Sequence, residues 1–150
     1  MQGTPLPLSA QGFPARLPVG LRPPGRIFIC DDDLDFAEEL ASGLATSGFE
    51  TVTLAGASSP NEIFDSFQPN VLLLDIFMPP PDGFEVLDQL RCDPRHKNMS
   101  LVLISGAGTS LLDVAARFCV ARKMRLAATL EKPLKLADIV RICTIHTGNA

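Results

Sequence analysis

Residues 71–83 read VLLLDIFMPPPDG and combine a strand, an acid and a helix start. The uniformly apolar residues 71–74 predict a strand that is buried on both faces, as in a parallel sheet. Asp75 follows directly at the carboxyl end of this strand. The prolines at 79–81 predict a loop, and Asp82 predicts the N-cap of a helix over residues 83–91. This stretch therefore predicts a strand–helix unit with an acid at its junction.

The same alternation continues on both sides of this unit. Short apolar or β-branched runs predict four further strands, at residues 27–30, 51–54, 101–104 and 126–130. Amphipathic segments predict helices at residues 35–47, from Ser59 onward, at 111–119 and at 136–145. Five strand–helix units in strict alternation predict an α/β fold, a single parallel sheet with helices on both faces.

The sequence predicts the local structure of two further segments. Ser59, Pro60 and Glu62 form the pattern of a capped helix start, with a first-turn proline and a reciprocal glutamate. The basic segment at residues 95–97 is expected to be a solvated loop.

Composition is that of an ordinary globular chain. Hydrophobic residues make up 46% of the sequence and charged residues 20%. A net charge of −4 gives no electrostatic support for a nucleic-acid partner. No apolar run reaches the roughly 18 residues that a membrane span needs, and no secretory signal is evident. The four cysteines form no Cys-x-x-Cys pair, so we expect reduced thiols in a cytoplasmic protein.

Three segments are predicted along the chain. Residues 1–25 contain six prolines among glycines and small residues and are expected to form a flexible leader. Residues 26–147 form the domain, and 148–150 a short tail. Because no output domain fits after the last helix, we expect a stand-alone domain or a fragment of a longer protein.

Polar side chains follow four of the predicted strands. Asp31 and Asp32 follow the first strand and Asp75 the third, whereas Ser105 follows the fourth and Lys132 the fifth. The carboxyl ends of parallel strands meet at one edge of the sheet, where ligands bind. We therefore expect three carboxylates, a hydroxyl and an ammonium group to converge there.

Converging carboxylates require a cation. Two like charges about 4 Å apart repel by about 4 kcal/mol at an effective dielectric near 20. Asp32 and Asp75 suit Mg²⁺, and Asp31 could act through a bound water. Lys132 would add positive charge, while Ser105 and the backbone at Gly106 would donate hydrogen bonds to phosphoryl oxygens. Asp75 would then be the nucleophile of a phosphoryl transfer.

This set of motifs resembles the receiver domain of two-component response regulators, the CheY-like family. The resemblance covers residues 26–145 and rests on Asp31 and Asp32, on Asp75 followed by Met78-Pro79 and Asp82-Gly83, on Ser105-Gly106 and on Lys132-Pro133.

The resemblance implies a five-stranded, doubly wound, flavodoxin-like sheet of order 2-1-3-4-5. It implies that Mg²⁺ is bound by Asp32, Asp75 and the backbone carbonyl of Phe77. It also implies transfer from the phosphohistidine of a sensor histidine kinase, or of a phosphotransfer protein, to Asp75. The chain would be a phosphoacceptor switch, not a turnover enzyme. Its fourth helix, fifth strand and fifth helix would contact an output domain or a downstream protein. The Lys132–Pro133 peptide bond is expected to be cis.

The sequence departs from the family pattern in three respects. Thr129 occupies a position where the family often has an aromatic residue, which leaves the output mechanism open. Ser105 and Lys132 are 27 positions apart (132 − 105), about one helical turn more than is common, and the helix over 111–122 is expected to accommodate the excess. Phe77 and Ala107 occupy positions that influence hydrolysis of the acyl phosphate, and neither side chain can orient a water.

Two alternatives remain open at this stage. A phosphatase of the haloacid dehalogenase type also uses an Asp nucleophile, and Asp33 and Asp35 imitate its motif, but that family has its nucleophile after the first strand. A pseudo-receiver would bind partners independently of phosphorylation. Phosphorylation of Asp75 separates the main hypothesis from the pseudo-receiver.

Overall fold

The structure is a computed structural model that describes residues 24–55 and 59–148. Strands and helices alternate as predicted, so the α/β architecture is confirmed. The strands are β1 (Arg26–Cys30), β2 (Glu50–Thr53), β3 (Val71–Asp75), β4 (Ser100–Ser105) and β5 (Arg125–Glu131). The helices are α1 (Leu34–Thr46), α2 (Pro60–Phe67), α3 (Gly83–Arg91), α4 (Thr109–Ala121) and α5 (Leu136–Thr147), with a 3₁₀ turn at Pro94–His96.

The ends of the chain are described only in part. Most of the predicted leader, residues 1–23, lies outside the described residues, as do 149 and 150 of the predicted tail. Among the described residues, no helix is both long and apolar enough to cross a bilayer.

All five strands are parallel and lie in the order β2-β1-β3-β4-β5. The predicted flavodoxin-like order is therefore confirmed. β2 lies on one side of β1, whereas β3, β4 and β5 follow on the other side. The order in which strands are added therefore reverses between the neighbours β1 and β3. Sheets of this kind bind ligands at such a reversal, outside the carboxyl ends of the strands.

The core consists of two apolar layers, one on each face of the sheet. Alternate strand residues such as Phe28, Leu72 and Leu101 pack against α2, α3 and α4. The residues between them, such as Ile29 and Leu73, pack against α1 and α5. Both faces are covered, which explains why the central strands are uniformly apolar instead of alternating.

The helix starts confirm one predicted cap and correct another. The Asp82 side chain accepts a hydrogen bond from the Glu85 amide at 2.9 Å, as predicted for α3. Ser59 occupies the N-cap position of α2, but its side chain makes no capping hydrogen bond. The prediction of a Ser59 cap was therefore wrong. Pro60 already fixes φ in the first turn, so the helix begins without the hydroxyl.

A β-bulge interrupts the pairing of β4 with β5. Leu101 pairs with Leu126, whereas Val102 pairs with Ala128, which leaves Ala127 as an extra residue. Ala127 and Ala128 consequently pack against the same apolar layer. The long spacing between Ser105 and Lys132 was expected to be accommodated in α4. The β-bulge accounts for one of the extra residues between Ser105 and Lys132. The expectation that α4 accommodates all of them was therefore incomplete.

The basic segment at residues 95–97 is not fully solvated, contrary to expectation. Arg95 and Lys97 are exposed, but the His96 side chain is only 8% exposed. The 3₁₀ turn directs its ring inward, 5.4 Å from the ring centre of Phe64. This turn closes the loop between α3 and β4 over the core.

We predict that Gly83→Ala destabilises the domain by about 1 to 3 kcal/mol, because the added methyl overpacks a closed contact. A Cβ at Gly83 would lie 2.5 Å from the Ile76 Cα and 3.0 Å from the Asp75 carbonyl oxygen. The chain has no Trp or Tyr, so urea unfolding is best followed by far-ultraviolet circular dichroism.

Gly43→Ala is the matched control. The atoms nearest to its Cβ would be those at the flexible end of the Leu136 side chain, and Ala is favoured over Gly within a helix. Equal unfolding midpoints for the two variants would contradict a rigid contact between Gly83 and Ile76.

Candidate functional site

The sheet brings the predicted site residues to one edge. Asp31 follows β1, Asp75 and Ser105 are the last residues of β3 and β4, and Lys132 follows β5. Asp31, Asp32 and Asp75 each contribute an oxygen, and these oxygens all lie within 4.8 Å of one another. The predicted convergence of the carboxylates is therefore present in the structure.

Two of the three carboxylates are buried. Asp31 and Asp75 are 2% and 5% exposed, whereas Asp32 is exposed. The Asp33 amide donates to Asp31 Oδ1 at 2.9 Å, and the Phe77 amide donates to Asp75 Oδ1 at 3.0 Å. In both carboxylates, the remaining oxygen, Oδ2, lies near Lys132.

Lys132 lies between the buried acids. Its Nζ is 2.8 Å from Asp31 Oδ2 and 3.6 Å from Asp75 Oδ2. Burial acts to lower the pKa of Lys132, but the contact with Asp31 and the charges of Asp31 and Asp75 outweigh it and raise the pKa. The Lys132–Pro133 peptide bond is cis, as expected.

The lysine does not fully compensate the acids. Burial, followed by the charge of Asp31, raises the pKa of Asp75 from 3.8 to about 6. The Phe77 amide and Lys132 oppose this shift without cancelling it. Three carboxylates facing one ammonium leave an excess of negative charge at this edge.

The donor set fits a hard divalent cation. All three side chains offer carboxylate oxygens, which Mg²⁺ prefers. Asp31 Oδ2 is buried, and the Lys132 ammonium lies 2.8 Å from it. A carboxylate oxygen has two lone pairs, so a metal ion or a metal-bound water can still bind to it.

The loop after β4 supplies hydrogen-bonding groups. The Ser105 side chain is fully buried, and its Oγ accepts a hydrogen bond from the Ala107 amide at 2.9 Å. The hydroxyl therefore keeps its own hydrogen for donation. A Cβ at Gly106 would lie 3.5 Å from Lys132 Cδ, which places this loop beside the lysine.

Phe77 and Thr129 concern two expectations from the sequence, the metal site and the output mechanism. The Phe77 side chain is 69% exposed, and its carbonyl remains a predicted metal ligand. Thr129 is exposed on β5 and offers no ring that could turn inward.

Sequence reasoning missed Phe36 as a member of the site. The Lys132 ammonium lies 4.4 Å from the centre of its ring, in a cation–π contact. The helical spacing of Phe36 with Leu40 and Leu44 indicated only a core residue. No local signal links it to a lysine that is 96 positions away (132 − 36).

Comparison with known proteins decides the family. A family model described as "Response regulator receiver domain" matches residues 27–144, well over half of the chain. The chain belongs to this family. The receiver is thus a domain of two-component response regulators, and the dehalogenase-type phosphatase is set aside.

Curated relatives are longer proteins. The receiver is 33% identical over 82 residues to Protein RcaC of Microchaete diplosiphon, covering 55% of this chain and 13% of that protein. It is 32% identical over 89 residues to the DNA-binding response regulator MtrA of Mycolicibacterium smegmatis, covering 59% of this chain and 37% of that protein. The receiver therefore spans little more than a third of these relatives at most.

Solved structures share the fold. A sensor protein from Polaromonas sp. JS666 matches with a TM-score of 0.70 at 24% identity, over 85% of this chain and 98% of that one. A CheY-like receiver domain protein from Methanospirillum hungatei JF-1 matches with a TM-score of 0.66 at 22% identity, over 84% and 95% of the two chains.

Replacing Asp75 with Asn should stabilise the metal-free receiver at neutral pH by about 1 to 3 kcal/mol, because it removes a buried charge next to Asp31. Because the pKa of Asp75 is raised in the folded state, its ionised form lowers the free energy of unfolding, and this effect is fully present at pH values above about 6. The advantage of the variant should shrink as pH falls from about 6 to 3.8, where the folded wild type is already protonated.

Urea unfolding in the presence of EDTA, at several pH values, measures this difference. Asp35→Asn is the matched control, since Asp35 is an exposed acid in the first turn of α1 and lies outside the cluster. A difference between Asp75→Asn and wild type that does not change with pH would refute electrostatic strain at Asp75.

Proposed function

We propose that the receiver accepts a phosphoryl group on Asp75, in a Mg²⁺-dependent transfer from the phosphohistidine of a sensor histidine kinase or phosphotransfer protein. The observation that supports this most is the cluster of Asp31, Asp32 and Asp75 facing Lys132 at one sheet edge. The domain would act as a switch and not as a turnover enzyme.

Asp75 Oδ2 is the proposed nucleophile. Oδ1 is held by the Phe77 amide, which orients the carboxylate and leaves Oδ2 on the side of Lys132. With a pKa of about 6, the carboxylate is largely ionised at neutral pH. Its Oδ2 would attack phosphorus as the phosphorus–nitrogen bond to the donor histidine breaks, which leaves an acyl phosphate on Asp75.

Asp32, Asp75 and the Phe77 carbonyl would hold Mg²⁺, with Asp31 acting through a bound water. When bound, the ion would neutralise charge on the phosphoryl oxygens. The fit rests on the all-oxygen donor set, whose three carboxylate oxygens lie within 4.8 Å of one another.

Lys132 and Ser105 would respond to the new group. Added phosphate carries about −1.5 to −2 charge at pH 7 and offers strong acceptor oxygens, so it would draw the Lys132 ammonium toward it. The Ser105 hydroxyl and the Gly106 amide would donate to the same oxygens. Because Ser105 Oγ also accepts from Ala107, its reorientation would move the start of α4.

Movement of this loop would change the face formed by α4, β5 and α5. We assign this face to an output domain or a downstream protein. MtrA is described as a DNA-binding response regulator, and an output domain of that kind would contact DNA in place of this acidic receiver. We propose a cytoplasmic location and no direct contact of the receiver with nucleic acid or membrane.

Intact mass after incubation with acetyl phosphate tests the phosphoacceptor. Wild type with Mg²⁺ should gain about 80 Da, the mass of one phosphoryl group, and Asp75→Asn should gain nothing. Asp35→Asn should be labelled like wild type, and Lys132→Ala should retain some labelling with a weaker response.

Labelling of Asp75→Asn to the wild-type extent would refute the assignment. If wild type neither gains mass nor binds the phosphoryl mimic beryllofluoride, the phosphorylation-independent pseudo-receiver would be the better description.

We also expect slow self-dephosphorylation, because the apolar side chains of Phe77 and Ala107 cannot orient an attacking water. Phe77→Gln should shorten the phosphoryl lifetime several-fold, since an exposed amide at this position can hold a water. Mass measured against time after removal of acetyl phosphate gives the lifetime. A lifetime of seconds for wild type would show that water reaches the phosphoryl group without help from either position.

A further inference from the structure

A basic groove lies at the opposite edge of the sheet from Asp75, at the amino-terminal ends of β4 and β5. It is formed by the end of α3, the 3₁₀ turn and the connection between α4 and β5. Its cations are Arg91, Lys97, Arg122, Lys123 and Arg125.

The charge of the basic groove is opposite to that of the chain, whose net charge is −4. Asp93 is the acid in its lining, and this carboxylate is already paired with Arg95 at 2.6 Å. Arg91 pairs with Asp88 at 2.6 Å. Within residues 24–55 and 59–148, no carboxylate lies within 4.0 Å of the charged groups of the other four cations, Lys97, Arg122, Lys123 and Arg125. Such a concentration of unneutralised charge attracts anions.

Contacts within the domain hold two of these cations in place. The Arg122 guanidinium lies 3.6 Å above the centre of the Phe118 ring. Arg125 Nη1 donates to the Asn98 carbonyl at 3.1 Å. Lys123 has a left-handed backbone with φ of 57° where α4 ends, and the Met124 amide donates to the Cys119 carbonyl at 3.0 Å across this turn. Arg122 and Arg125 are therefore positioned without being neutralised, which lowers the entropy lost on binding.

The floor of the basic groove is apolar. The cavity in the groove has a volume of about 110 Å³, and its lining combines the cations, Asp93, Pro94 and His96 with four apolar residues, Leu90, Met99, Leu101 and Met124. This is smaller than the roughly 300 Å³ at which small-molecule pockets begin, yet larger than the roughly 30 Å³ that a water occupies in the liquid. A cavity of this size can hold one apolar side chain, and the flexible side chains of methionines adapt readily to a bound apolar group.

We propose that the basic groove binds an acidic polypeptide segment of a partner protein, with one apolar side chain of the segment in the cavity. Carboxylates on either side of this side chain pair with Arg122, Lys123 and Arg125. A phosphate backbone would satisfy the cations but leave the apolar floor unused. The leader cannot fill this role, because residues 1–23 contain no Asp or Glu but do contain Arg16 and Arg22.

Fluorescence anisotropy of the full chain with a labelled pentapeptide tests the proposal. The probe has a central Leu flanked on each side by Glu and Asp and carries fluorescein. Saturable binding that weakens with salt is expected, and Arg122→Glu/Lys123→Glu should reduce affinity about tenfold or more. A peptide with Ser in place of Leu should bind several-fold more weakly.

Lys135→Glu/Arg141→Glu is the matched control, because it makes the same change in net charge at exposed residues of the α5 region outside the groove. An equal loss of affinity in this control would overturn the proposal, as would equal binding of the Leu and Ser peptides. Tighter binding of oligothymidylate that is lost in the groove variant would assign the groove to nucleic acid. Self-association abolished by the same variant would assign it to a second copy of the chain.

The groove variant also separates this proposal from the phosphoacceptor assignment. Its circular dichroism and its Mg²⁺-dependent labelling should equal those of wild type, because the two sites lie at opposite edges of the sheet. Loss of peptide binding with full labelling supports the groove proposal by itself. Loss of both would indicate misfolding, and Lys123→Glu alone, an exposed single change, then decides the outcome by the same anisotropy measurement.

Discussion

Asp31 and Asp75 hold two buried carboxylates at the ends of neighbouring strands, with a single lysine between them. Burial, followed by the charge of Asp31, raises the pKa of Asp75, so the ionised pair is unfavourable without a further cation. The sheet maintains it because Asp75 ends β3 and Asp31 directly follows β1, and the apolar residues of both strands are fully packed. The free energy of packing thus sustains a local excess of negative charge at this edge, and such an excess attracts cations.

The surroundings of the acids keep them in place. Gly83 lets α3 approach the backbone of Ile76, immediately after Asp75. Asp33 caps α1 and its amide also fixes Asp31, so one residue serves both the helix and the site. Phe36, on the first turns of the same helix, supports the lysine from the other side. Small displacements of α1 or α3 would therefore alter the distances between the charged groups.

Features encoded by short patterns were accessible from the sequence. Apolar runs predicted the strands. Because parallel strands end at one edge, the residues at these ends predicted the acidic cluster, Ser105 and Lys132. The strand order followed from the family resemblance and not from the patterns alone. Ser59 failed as a cap because residue type does not determine whether a side chain turns toward the helix.

Other features depend on long-range packing and were inaccessible. The bulge at Ala127 arises from the pairing of β5 with β4, and one small apolar residue in a strand gives no sign of it. His96 is buried because a turn directs it onto Phe64, 32 positions earlier (96 − 64). The basic groove combines residues from two connections that are separated by β4 and α4, so the short basic runs at 95–97 and 122–125 do not show by themselves that they meet.

The bulge at Ala127 has a consequence for how the domain can vary. Arg125 of the basic groove begins β5 and Lys132 of the acidic edge directly follows its last residue, yet an unpaired residue lies between them. The bulge uncouples the two ends of β5, so a one-residue insertion or deletion near the groove can be absorbed there without turning Lys132 away from the acids. The sequence of the proposed groove at one end of β5 can therefore change among descendants while Lys132 keeps its position beside the acids at the other end.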